Sequence, residues 1–332
     1  MKKKSIFSLE NLALYITLVA VFLLMWYLNG GKFFSGRNIG SMAYQLPIVG
    51  LLSVGMMIAM LTGGINLSII ANTNLNGIII WLVLESIMGK GHMKEAGIFP
   101  IILAVLAGFA VSAVVGFVNG YLISKFEIPD ILVTLGTMTL IGGVNVVLTR
   151  GSTITGFPAA LNFIGNGKIG PVPFPIILFL VAVVATSIIL NRTRFGFSLY
   201  MMGANPVAAK YSSVSLVKIT IMQYMFSAFF ASLTSLVMIG QLNSVKANYA
   251  ESYLLVAVLA SFFGGVDPNG GFGKIGGVLA ATIILQFISS GLNLLRMDPF
   301  MITAMWGAIV ILVIFAKAAA GKIRRHWGGG TA

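Results

Sequence analysis

The sequence has no cysteine, and its two histidines, His92 and His326, fall in expected loops. A disulfide and a thiolate metal site are excluded, and a histidine metal cluster is disfavoured. Charge is scarce. Asp, Glu, Lys and Arg make up 9% of the 332 residues, where a soluble domain carries about 25%. Glu85 is the one clear charge inside an apolar stretch, and it lies near the end of that stretch. Proton- and ion-coupled carriers need buried carboxylates or histidines at mid-membrane. Their lack points to energy from another source and counts against an autonomous secondary carrier. No His/Asp/Glu/Cys constellation lies within the spans, which counts against a membrane enzyme. A Gly-x4-Gly-Lys-Ser/Thr loop for ATP is also missing. At Gly273-Lys274, Pro268 stands where the first glycine belongs and Ile275 follows the lysine. Gly271–Gly276 matches Gly-x-Gly-x-x-Gly, yet an apolar span precedes it, and Arg296 stands where an acid is required about 20 residues on. It reads as a tight turn into a helix.

What is present is apolar sequence in long runs. Hydrophobic residues are 58% of the chain and the mean hydropathy is +0.99. Runs of about 18 or more such residues read as transmembrane helices. About ten spans are expected: 12–28, 42–61, 74–88, 98–123, 131–149, 174–190, 219–240, 253–263, 275–292 and 300–315. The third and eighth are short. The fold class is all-α, a polytopic helical bundle and a single transmembrane domain over 1–332. No extramembrane segment is long enough to bury its own core. The basic start Met1–Lys4 and the apolar run after it read as an uncleaved first span, because no small-residue cleavage site follows. The 39 glycines sit inside the runs, as helix packing in lipid requires. Gly108, Ser112, Gly116 and Gly120 share one helix face, and Gly273, Gly277 and Ala281 share another.

The net charge of +13 would raise nucleic acid as a partner in a soluble protein. Here it is explained by basic residues on cytoplasmic flanks, and no nucleic acid is expected. With the N-terminus inside and the spans alternating, 13 basic residues fall inside and 8 outside. Loop 191–218, with four basic residues and no acid, is the strongest single signal. Both termini are then cytoplasmic. The Pro- and Gly-bearing loop 150–173 reads as an ordered external cap or gate.

Polarity inside the runs is amide and hydroxyl. In Leu61–Gly77, Gly63-Gly64 is expected to break the chain after the second span, and Asn66 and Ser68 to open the next element as caps do. Ser68, Asn72 and Asn76 are spaced by four and share a helix face. Gln45, Asn119, Thr134, Thr137, Asn145 and Gln286 lie in or near other spans. Asn66, Ser68, Asn72, Asn76, Asn119, Thr134, Thr137 and Asn145 are candidates for lining a path for a neutral polar solute. Each could equally bond a neighbouring helix.

Thr62–Ile69 (TGGINLSI) and Phe195–Leu216 (FGFSLYMMGANPVAAKYSSVSL) resemble the ribose-type permease subunit of bacterial ABC importers. So do Ile128–Thr137 (IPDILVTLGT), Val258–Gly277 (VLASFFGGVDPNGGFGKIGG) and Gly291–Leu295 (GLNLL). The resemblance runs from about Phe33 to Phe315. It implies a multi-pass subunit of the bacterial plasma (inner) membrane. Its implied partners are a second copy or paralogue, cytoplasmic ATP-binding subunits, and an extracytoplasmic solute-binding protein. The chain itself would bind no cofactor, the ATP and Mg being used by the partner ATPase. Gly203, Asn205, Pro206, Ala208 and Ala209 match the family's ATPase-coupling segment, with a short helix expected to start at Asn205-Pro206. The solute implied is a sugar or sugar-like molecule. Nucleosides, branched-chain amino acids and a signalling furanone are carried on the same architecture. Asn66 stands where the family usually has Asp, and Ser213 where it has Gly.

Overall fold

The computed structural model describes residues 9–89, 92–298, 300–312 and 315. Eight of its helices are long and apolar enough to cross a membrane. They are α1 (Leu9–Asn29), α2 (Gly36–Met60), α3 (Ile69–Met88), α4 (Ile98–Phe126), α5 (Asp130–Thr149), α7 (Phe174–Arg192), α10 (Leu216–Leu242) and α12 (Ile275–Leu294). The others are α6 (Ala159–Asn166), α8 (Arg194–Ala204), α9 (Pro206–Tyr211), α11 (Tyr253–Phe263) and α13 (Phe300–Leu312). The all-α multi-pass bundle expected from the apolar runs is what forms. The basic residues Lys2–Lys4, Lys90 and the cluster after Ala316, and His326 with them, lie outside the described residues.

Three expected spans change, the tenth (300–315) being the 13-residue α13 among the described residues. The third starts at Ile69, not Asn74, and is a full 20 residues long. Its first turns are polar, so hydropathy hid them. The eighth is the 11-residue α11, which rises only about 16 Å, roughly half the hydrocarbon core. Irregular chain precedes it, and Asn74 of α3 donates to the Ala247 and Tyr249 carbonyls there at 3.0 and 2.9 Å. Non-helical backbone is tolerated beside a membrane span where protein covers it.

The centre is α2, α3, α4 and α10. From Pro47 to Met60 every residue of α2 is buried. On α4 the expected small-residue face is the contact face: a Cβ at Gly116 would lie 2.6 Å from the Tyr224 carbonyl, and one at Gly120 2.5 Å from the Ile221 Cα. These glycines let α4 and α10 approach backbone to backbone. The outer face of α4, like α1, α5 and α7, turns large apolar side chains outward, as lipid-facing helices do.

Loop 150–173 is ordered. Its strand β1 (Ile154–Thr155) pairs antiparallel with β4 (Ser244–Val245), and α6 packs on α10. Strands β2 (Lys168–Ile169) and β3 (Val172–Pro173) form a hairpin. Gln241 donates to the Tyr44 carbonyl at 2.6 Å, and the Tyr44 hydroxyl to the Asn166 carbonyl at 3.2 Å. The start of α2 therefore shares an end of the bundle with α6. The opposite end carries the α2–α3 turn, α8, α9 and the loop 264–274.

Candidate functional site

The α2–α3 turn, 61–68, is where four parts of the chain meet. Its backbone leaves the helix at Leu61, and Gly63 takes φ +87° facing the Asn269 carbonyl. The Gly271 amide donates to the Leu61 carbonyl at 2.7 Å. Gly203, at the end of α8, presses on the same two groups, so a Cβ there would overlap the Leu61 oxygen and the Gly271 nitrogen. The segment singled out in the sequence is thus wedged against the turn through backbone alone.

Beyond Gly203 the chain bends and restarts. Asn205 is extended, its Oδ1 accepts from the Ala208 amide at 3.0 Å, and Pro206 opens α9. An Asn cap followed by Pro in the first helical turn is a sound helix start, and it lies where the sequence put it. Ala209 is fully buried, whereas Val207 and Tyr211 are 64% and 88% exposed. The elbow α8–α9 offers an apolar and aromatic tip on a rigid base.

From the other side, α10 and α5 grip the turn. Gln223 donates to the Ala59 carbonyl at 2.7 Å and pairs with the Thr62 hydroxyl. Tyr224, fully buried, donates to Asp130 Oδ2 at 2.6 Å. The Asp130 carboxylate covers Gly64 so closely that a Cβ there would overlap it. Sequence reading passed over Asp130. The signal was an acid in the first turn of an apolar helix after Pro129, where the helix dipole favours negative charge.

The eight path candidates fall into three groups. Thr137 donates to Asn119 Oδ1 (2.6 Å), Asn119 to Ser68 Oγ (2.9 Å), Ser68 to Asn66 Oδ1 (2.7 Å), and Asn66 to Ser227 Oγ (2.9 Å). Thr134 beside them donates to the Ile65 carbonyl at 2.8 Å. Asn72 and Asn76 share Ser112 of α4, and Asn76 also reaches Ser232 of α10 at 3.1 Å. Asn145 stands apart, donating to the Ala71 carbonyl at 3.0 Å. All but Thr137 are buried. Ser68 precedes α3 but makes no side-chain cap bond; its hydroxyl is committed to Asn66. The capping role expected of Asn66 and Ser68 is replaced by side-chain bonds between helices.

A family model described as the permease component of a branched-chain amino acid transport system matches residues 38–316. The chain belongs to this permease family. It is 32% identical over 308 residues to the ribose import permease protein of Bacillus subtilis, covering 92% of each chain. It is 29% identical over 307 residues to the fructose import permease protein of Rhizobium meliloti, covering 90% of this chain and 82% of the relative. It is also 29% identical to the galactose/methyl galactoside import permease protein of Salmonella typhimurium, over 94% of this chain and 95% of the relative. No solved structure matches. The chain is thus a multi-pass membrane permease component, and its geometry can be read with that in mind.

Proposed function

We propose that this chain is the membrane-spanning subunit of an ATP-driven, binding-protein-dependent importer in a bacterial plasma membrane, and that its cargo is a neutral monosaccharide. The observation that carries the reading is the α8–α9 elbow. It exposes Val207 and Tyr211 in the most basic loop of the chain and is braced through Gly203 on the α2–α3 turn. A rigid tip of this kind suits a groove on a separate cytoplasmic ATPase, which would consume ATP and Mg. Movement of the elbow would reach α2, α3 and α5 directly, because the turn is bonded to all of them. Alternating states would then follow as rigid-body shifts of packed helices. The positive-inside count supports cytoplasmic termini, an inward α9 end and an outward α6 end. The names of the relatives support a sugar over the amino acid in the family description. A second permease copy or a paralogue, an ATPase pair and a solute-binding protein complete the machine.

The test is purification of the detergent-solubilised chain from its native membrane with partners identified by mass spectrometry, followed by uptake in proteoliposomes. An ATPase and a sugar-loaded binding protein are expected, with uptake dependent on ATP. Val207→Glu and Tyr211→Ala should lower uptake at least about tenfold, as loss of an interface anchor does, at unchanged Tm. Uptake by the chain alone without ATP would overturn the reading.

A further inference from the structure

A polar cavity of about 270 Å³ lies between the start of α2 and the end of α12. It is lined by Ser35, Arg37, Asn38, Ser41, Gln45, Ser290, Asn293 and Leu294. Two polar faces create it. Asn38, Ser41 and Gln45 follow one another at helical spacing on α2, and Gln286, Ser290 and Asn293 do so on α12. Each face runs about 10 Å along its helix. The helices are antiparallel and cross-bonded, Ser290 donating to Asn38 Oδ1 at 2.8 Å and Gln286 to Gln45 Oε1 at 3.1 Å. Buried Asn38 and Ser290 form the floor, while Ser41, Gln45, Arg37 and Asn293 are exposed above it.

This cavity presents polar side chains to the aqueous side, whereas the buried side-chain oxygens without a partner, Oδ1 of Asn76, Asn145 and Asn162, lie elsewhere among the described residues. The Asn293 side-chain amide has no hydrogen-bond partner, and Arg37 no ion pair, among the described residues. Gln45 is held by Gln286 and Ser41 yet stays exposed. Amides and hydroxyls on a helix in hydrocarbon are costly unless they face protein or a water-filled cavity. Pro47, two residues past Gln45 on α2, lacks the amide that would bond the Ala43 carbonyl. The helix is therefore weakened next to the cavity.

The geometry points to this cleft as a binding site for the solute itself, a neutral polyol of monosaccharide size. Its volume sits just under the range of about 300–1,000 Å³ usual for small-molecule sites, which leaves room for one small solute. An amide offers a donor and an acceptor side by side, matching two vicinal hydroxyls. With no acid in the lining and one arginine at the rim, a cationic solute is disfavoured. The inference rests on the importer reading above, under which this end faces outward and receives solute first.

The chain lacks cysteine, so one introduced thiol reports one place. Leu294→Cys places it in the cavity lining without touching a polar group, and Lys168→Cys places a control in the exposed β2–β3 hairpin. Both are made in the full importer in intact cells. Modification by a membrane-impermeant methanethiosulfonate is timed with and without D-ribose, D-fructose and D-galactose. One of the three sugars should slow labelling of Leu294→Cys about tenfold at ten times its dissociation constant, and leave Lys168→Cys unchanged. Adding Gln45→Leu should remove the protection and raise the KM for uptake about tenfold while kcat holds. If uptake is intact and none of the sugars protects Leu294→Cys, the cleft is not the site. If protection is seen but uptake continues without the ATPase, the importer reading fails and the site stands.

Discussion

At the α9 end of the bundle, Thr137, Asn119, Ser68 and Asn66 pass hydrogen bonds from one to the next down to Ser227. At the opposite end, Asn293 and Arg37 face a cavity with theirs unspent. The residue types are alike, and the two environments are not. Most of the buried polar side chains lock helices together, while Asn76 Oδ1 and Asn145 Oδ1 are left without a partner, each at a cost of about 1–3 kcal/mol. The outer ones keep valence for something that arrives. Polarity inside an apolar chain therefore does not by itself mark a path; what the cleft adds is polarity that a solute can reach.

The sharpest way to break this comparison is at glycine. A Cβ at Gly203 overlaps two backbone groups, whereas one at Gly40, at the open end of α2, meets nothing within 4 Å. Gly203→Ala should cost about 3 kcal/mol or more, because backbone cannot step aside as a side chain can. Gly40→Ala should stabilise by about 0.5–1 kcal/mol through helix propensity. Thermal unfolding in detergent reads both. Similar Tm values for the two variants would mean that the α9 end is not built on backbone contact.

Next in size is the grip on the turn. Tyr224→Phe keeps the ring and removes the donor to Asp130, which should cost about 2 kcal/mol, the usual range for a bond to a charged group being about 1.5–3. Asp130→Asn keeps an acceptor oxygen and should cost less. If the pair steadies the α2–α3 turn for coupling, Tyr224→Phe will also raise ATP hydrolysed per solute carried. Lost stability with unchanged coupling would make the pair a packing device only.

Smaller again is the exchange between the two polar regions. Asn66→Ala should lower stability by about 1–2 kcal/mol and leave the KM alone. Asn293→Ala, which removes a side chain without a bond among the described residues, should leave Tm nearly unchanged and raise the KM. The reverse pattern would move the solute path to the inner network.

The long apolar runs were legible because hydrocarbon admits little else, and so was the cap at Asn205-Pro206. The start of α3 was hidden because Asn72, Asn74 and Asn76 lower its hydropathy, although all three are buried. Asp130 was passed over because one acid at a helix start looks like a flank until Tyr224, 94 positions away, is brought against it. The cleft was half visible. Asn38, Ser41 and Gln45 have helical spacing, but they follow Arg37 at the edge of a span. Only the antiparallel pairing of α2 with α12 brings Gln286, Ser290 and Asn293 across from them.

One position at the α9 end departs from its own rule. After α9 the Val214 amide bonds the Ala209 carbonyl and the Ser213 amide bonds the Lys210 carbonyl, both at 3.1 Å. This is the paired closure of a helix whose next residue turns left-handed, a position that glycine normally takes. Ser213 holds it at φ +63°, where a side chain costs about 1–2 kcal/mol. The resemblance puts a glycine here. Ser213→Gly should relieve that strain, offset in part by glycine's greater freedom when unfolded, for a net gain of about 0.5–1 kcal/mol. That corresponds to a Tm rise of about 1–3 °C, with uptake unchanged. Ser213→Ala, which keeps the Cβ, should give no gain. A fall in Tm or in uptake for Ser213→Gly would mean that the hydroxyl is held by a partner in the assembled importer, and that the α9 end, as proposed for the cleft, keeps one polar group in reserve.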